Sequence, residues 1–285
     1  MMMSAVAHSG GSVFLFYLIG NAVAAVIAWL LIPDWNRMAE MSGMTLLSLI
    51  VPVAIAGLVN VASQAMMVWT LKLGHNGISI AVRNCAAVIP FSIGFLFWGN
   101  RVGLLNLAGL LMILTAMVQI ALNSGKREER AEKRFSLKWL LAMVLSLSCS
   151  GSFQVLNSMT ARISPELLQT GIRIPLLLTS CAIGNGAVYL LIQRNSPGGG
   201  TVPRFFRVMV PGWSLLAILS YFFMFRALDM MNRVEASALV FPIVTGVNIS
   251  TFSLYSRFRL REPYSAISVC SLLLCALGII FLTWK

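Results

Sequence analysis

The chain has 285 residues, 58% of them hydrophobic and only 11% charged, and its mean hydropathy is +0.85. Soluble domains carry about a quarter of their residues as charges, so this composition excludes a soluble globular protein and makes the number of membrane spans the first question. The net charge of +12 would suggest nucleic acid in a soluble chain, but here the basic residues are scattered among short loops, which points to membrane topology and away from a nucleic-acid partner.

Nine apolar runs of about 20 residues follow one another. The first four are Ser12 to Ile32, Thr45 to Thr70, Gly77 to Trp98 and Val102 to Leu122. After a charged break come Leu137 to Asn157, Gln169 to Ile192, Met209 to Leu228, Val234 to Ser256 and Tyr264 to Trp284. None alternates with the two-residue period of a membrane β-barrel strand. The predicted class is therefore all-α, a polytopic membrane helix bundle of about nine transmembrane helices. The first run follows eleven residues without Lys or Arg and exceeds the roughly 7 to 15 residues of a signal-peptide core, so it reads as a retained span.

The one long polar interval, Lys126 to Lys138 (KREERAEKRFSLK), divides the chain into residues 1–125, a cytoplasmic linker at 126–138 and residues 139–285. Asn195 to Pro203 (NSPGGGTVP) is a second flexible loop. Lys and Arg in alternate loops number thirteen on the side of the linker and six on the other, with Arg83 and Arg173 inside runs. Positive loops stay in the cytoplasm, so the N-terminus and linker are predicted inside and the C-terminus outside.

The chemical inventory argues against an enzyme. The five cysteines form no CxxC pair and read as small packing residues. With only His8 and His75 there is no HExxH, and GxSxG is absent. No metal site and no cofactor are expected.

The two sides of the linker look related. GNRVGLLNLAGLLMILTAMVQIAL from Gly99 lies over RLREPYSAISVCSLLLCALGIIFL from Arg259, and WTLKLGHNGISIAVRNCAAVIP from Trp69 over RALDMMNRVEASALVFPIV from Arg226. This pairs the first run with the sixth, the second with the seventh, the third with the eighth and the fourth with the ninth, leaving the fifth alone. Under the charge count, paired runs enter from opposite sides, so the repeat is inverted. Inverted repeats recur in transporters, where two related bundles alternate around a midplane site.

A small-residue span with a central proline, an aromatic and apolar stretch, and the charged FRLREP of Phe258 to Pro263 resemble the EamA-like drug/metabolite transporter superfamily. SLSCSGSFQVLNSMTARISPELLQTGIRIPLLL, Ser146 to Leu178, also looks like that family's repeat start. The resemblance implies ten spans as five plus five, whereas four plus five are read here, so either the start is misassigned or this member lacks the first family helix. The family's Glu is replaced where Asn100 and Arg101 stand. The resemblance implies a permease that moves a small organic solute by alternating access, with lipid bilayer and solute as partners and a homodimer allowed. A polytopic sensor or assembly factor that keeps the carrier fold without transporting is the alternative.

Ionisable side chains within the hydrocarbon are costly unless they face a cavity or a partner. Arg83 is the leading candidate for substrate binding, on a small and polar stripe with Ser79 and Ala87. Arg173 lies one turn from its run's end, where it could contact solute or anchor the helix. Asn60 and Gln64 add a polar stripe to the second run, and Asn248 one to the eighth. For these, hydrogen bonding between helices is the competing account. Pro90 and Pro242 interrupt matching runs and offer gating kinks. All nine acidic residues fall in loops or within about a turn of a run's end. The arginines thus have no evident carboxylate partner, which favours a neutral or anionic metabolite over an organic cation.

Overall fold

The computed structural model describes residues 12–73, 76–100, 102–128, 136–163, 171–193, 206–259 and 266–284. Residues 129–135 of the charged linker, the loop at 195–203, both histidines and residues 260–263 of FRLREP lie outside the described residues. The elements are all helical: α1 Val13–Leu31, α2 Trp35–Ala39, α3 Gly43–Leu73, α4 Asn76–Asn84, α5 Val88–Leu96 and α6 Leu104–Glu128. They continue as α7 Leu137–Ile163, α8 Arg173–Val188, α9 Phe206–Arg233, α10 Val240–Arg259 and α11 Ala266–Thr283. Short 3-10 turns at Cys85–Ala87 and Ser237–Leu239 precede α5 and α10, and a π-helical turn, Tyr189–Gln193, extends α8.

Among the described residues, five helical stretches are long and apolar enough to cross a membrane: Val13–Leu31, Gly43–Leu73, Leu137–Arg162, Arg173–Ile192 and Phe206–Arg233. Four shorter apolar stretches, Val82–Leu96, Leu104–Gln119, Ser237–Thr251 and Val269–Thr283, fall on the remaining predicted runs. Two of the four contain Pro90 or Pro242, whose missing N–H leaves the carbonyl four residues back without its helical donor. Leu31, Leu104, Leu191 and Val208 are each more than three quarters exposed. Apolar surface on that scale is unfavourable in water and suits lipid, so the chain is read as a membrane-embedded helical protein.

Helix starts follow from local chemistry. Ser12, Ser42 and Ser136 stand just before α1, α3 and α7, and each hydroxyl accepts a backbone N–H three residues on, from Leu15, Thr45 and Trp139 at 3.1 to 3.2 Å. These bonds satisfy donors that the first turn leaves open.

The chain divides into two compact units, one of residues 1–62 and 156–229 and one of 63–155 and 230–285. The division runs through α3, α7 and α9, so neither unit is one continuous stretch of sequence.

In the first unit α1 packs along α8. Glycines set the close approaches: a Cβ at Gly57 would stand 3.0 Å from the Leu177 carbonyl oxygen, and one at Gly20 would meet the Trp213 ring at 3.0 Å. Around Gly20, Ser214 donates to its carbonyl at 2.9 Å, and Phe16, Tyr17, Phe206 and Trp213 pack edge to face.

In the second unit α6 packs against α11 along most of its described length. Asn106 joins their ends. Its Oδ1 accepts the Gly103 N–H at 2.8 Å, closing the start of α6 as the third residue of a capping box does. Its Nδ2 donates to the Phe281 and Leu282 carbonyls at 3.2 and 2.9 Å, which the end of α11 otherwise leaves open. Replacing Asn106 by Leu is expected to lower stability by about 2–4 kcal/mol, since a backbone group left dry costs about 1–3. Thermal unfolding of the detergent-purified chain measures it, and Asn106→Asp should fall between the two because it restores only the Gly103 bond.

Candidate functional site

Six of the eight candidate residues, Gln64, Ser79, Arg83, Pro90, Pro242 and Asn248, belong to the second unit, and Asn60 and Arg173 to the first. The single predicted third run is broken in the structure. α4 ends at Asn84, the 3-10 turn takes Cys85–Ala87, and α5 begins at Val88. Arg83 is thus in the last turn of α4, immediately before the break, and is half-buried. A cation at a helix C-terminus is favoured by the helix dipole.

One turn earlier Ser79 is buried and accepts the indole N–H of Trp139 at 3.1 Å. That bond fixes α4 to α7 and engages the Ser79 oxygen. A second α7 contact joins α3, where Ser63 and Ser146 each donate to the other's carbonyl at 3.2 Å. Gln64 follows this clasp, and its Oε1 is buried with no hydrogen-bond partner among the described residues, as is Oε1 of Gln154 on α7. A buried acceptor without a donor costs about 1–3 kcal/mol, and a solute N–H or O–H could supply the donor. Asn248 is exposed on α10.

Pro90 and Pro242 sit in the same local structure. Each follows the last residue of its 3-10 turn by three positions, and each is buried. The carbonyls they cannot bond, of Ala86 and Ala238, belong to the central residues of those turns. The two broken helices also pack reciprocally: α5 lies on the turn before α10, and α10 touches the turn before α5. A Cβ at Gly94 would stand 2.6 Å from that of Ala238. Beyond α5, Gly99 adopts φ 63°, and Asn100 then donates its backbone N–H to Gly94 at 3.0 Å and its amide to Ser237 at 3.4 Å.

In the first unit Arg173 opens α8 and is 3% exposed. The expectation that it has no carboxylate partner is corrected: its Nη2 meets Asp229 Oδ2 at 2.5 Å, with side-chain exposures of 4% and 13%. The seventh run ends at Leu228 by apolarity, but α9 continues to Arg233 and carries Asp229 as a helical residue. Phe225, one turn before Asp229, places its ring 4.4 Å from the Arg173 guanidinium carbon, a cation–π contact. Arg173 Nη1 is buried and makes no hydrogen bond among the described residues. Asn60 lies elsewhere in this unit, with Nδ2 3.7 Å from Cys181 Sγ.

Asp229, Trp139 and Asn106 are the residues the sequence reading does not single out. Asp229 carries a usable signal: it stands four residues after Phe225, on the same helical face if α9 continues. Trp139 and Asn106 act on partners 60 and 175 or more residues away, which no local pattern announces. No family model matches the chain, and no curated protein is significantly similar to it.

Proposed function

We propose that the protein is a carrier of the drug/metabolite transporter type in a bacterial inner membrane. It moves a small neutral or anionic metabolite by alternating access through nine spans arranged as an inverted repeat. The observation that carries this reading is the matched pair of broken helices, with Pro90 and Pro242 at the same offset from their 3-10 turns and each helix packed on the other's break. Helices interrupted in corresponding positions of two repeats are what a midplane transport site uses, because the freed carbonyls can reach solute and the bends can move. Two further repeat mates also pack together inside one unit, α1 with α8 and α6 with α11. An enzyme or a scaffold has no need of such pairing.

Arg83, at the edge of the first break, supplies the positive charge for an anionic or electron-rich group, and Gln64 on α3 offers its unpartnered Oε1 to a solute donor. In proteoliposomes challenged with a panel of labelled metabolites, Arg83→Ala is expected to cut uptake at least tenfold while insertion and the elution profile stay unchanged. Arg83→Lys should retain part of it. Full uptake by Arg83→Ala would sink the assignment of Arg83. Absence of uptake of any metabolite by the unaltered chain would favour the non-transporting alternative.

A further inference from the structure

An open cavity of about 1160 Å³ lies in the second unit where three helix ends meet: the start of α6, the end of α9 and the end of α11. It contains none of the residues assigned to transport. Leu104, Leu105 and Val234 line it and are 86%, 47% and 51% exposed, so it has an accessible apolar wall, which in an embedded chain suits an acyl chain. Trp284 also lines it, at the end of an apolar helix where tryptophan marks the headgroup level.

Two charges stand beside this wall. Arg233 closes the last turn of α9, where a cation complements the helix dipole. Two residues on, Glu235 occupies the left-handed position that ends the helix, at φ 55°. Its N–H bonds to the Asn232 carbonyl at 3.1 Å and that of Ala236 to the Met231 carbonyl at 2.9 Å. Glycine is the usual residue at that position. A glutamate held there against its backbone preference brings a carboxylate to the cavity beside Arg233, and strained non-glycine residues concentrate at ligand sites.

We infer that this cavity binds a zwitterionic phospholipid. The phosphate sits on Arg233, the ammonium on Glu235, and an acyl chain runs along Leu104, Leu105 and Val234. The headgroup chemistry, a phosphate ester beside a primary ammonium, also occurs in soluble molecules; the exposed apolar wall assigns the lipid.

The test is native mass spectrometry of the full detergent-purified chain supplied with equal phosphatidylethanolamine and phosphatidylglycerol, and separately with glycerophosphoethanolamine as a competitor without acyl chains. The expected result is at least tenfold preferential retention of phosphatidylethanolamine. Arg233→Gln should lose that retention, and Glu235→Gln should abolish the preference between the two lipids. Glu235→Gly should abolish the preference too while unfolding at an equal or higher temperature, which separates loss of the ligand from loss of the fold. Equal retention of both lipids by the unaltered chain, or unchanged retention in the variants, would overturn the site. Displacement by glycerophosphoethanolamine at matched concentration would overturn the lipid as its source.

Discussion

Asp229→Asn is expected to destabilise the folded chain by about 3–5 kcal/mol, the cost of removing one partner from a buried ion pair. The loss falls on Arg173, whose side chain is 4% exposed and whose Nη2 would lose the carboxylate charge that stands 2.5 Å away. Phe225 at 4.4 Å stays in place, but a cation–π contact is worth only about 0.5–2 kcal/mol. A guanidinium cannot discard its proton, whereas a carboxyl group can become neutral by binding one. Arg173→Met is therefore expected to cost less than Asp229→Asn. The double variant Arg173→Met with Asp229→Leu should recover most of the stability, since replacing a buried pair by apolar residues is often neutral or better. Unfolding midpoints of the four purified proteins measure this ordering. Equal midpoints for the two single variants and the double variant would mean that the pair contributes nothing as a pair.

The ion pair also shows where sequence reading stops. Arg173 is conspicuous because it interrupts an apolar run, and its cost in lipid identifies it without any structure. Its partner is hidden by a boundary. Apolarity ends the seventh run at Leu228, yet the helix continues five residues to Arg233 and stops only where Glu235 turns left-handed. Helix ends are set by backbone hydrogen bonds, which hydropathy does not register.

The prolines behave differently. Pro90 and Pro242 are visible as interruptions, and the structure adds a 3-10 turn upstream of each, a local adjustment that follows from the missing N–H. Ser79 is correctly placed on the Arg83 helix, but its bond to Trp139 across 60 residues depends on which helices pack together. The polar stripe of the second run divides between units, Asn60 to the first and Gln64 to the second. Spacing along one helix shows a shared face; it does not show how that helix is shared between packing partners.

Replacing Gly109 by Val is expected to destabilise the second unit by more than about 3 kcal/mol, above the usual range for overpacking. The reason is what the new carbon would strike. A Cβ at Gly109 would stand 2.6 Å from the Gly278 carbonyl oxygen and 2.8 Å from the Leu282 nitrogen, and one at Gly278 would stand 2.8 Å from the Gly109 oxygen. These are backbone atoms in two helices, so no rotamer change relieves the clash and α6 must move away from α11. Asn106, three residues before Gly109, would then lose its bonds to the Phe281 and Leu282 carbonyls. Small residues matter at such crossings because contacts between helices in lipid come from close packing rather than from escape from water. Gly212 provides the control: it lies in α9 with nothing within 4 Å of its would-be Cβ. Gly212→Ala should therefore be stabilising by about 0.5–1 kcal/mol through helix propensity alone. If Gly109→Val and Gly212→Ala shift the unfolding midpoint alike, the α6–α11 crossing is not held by glycine contact.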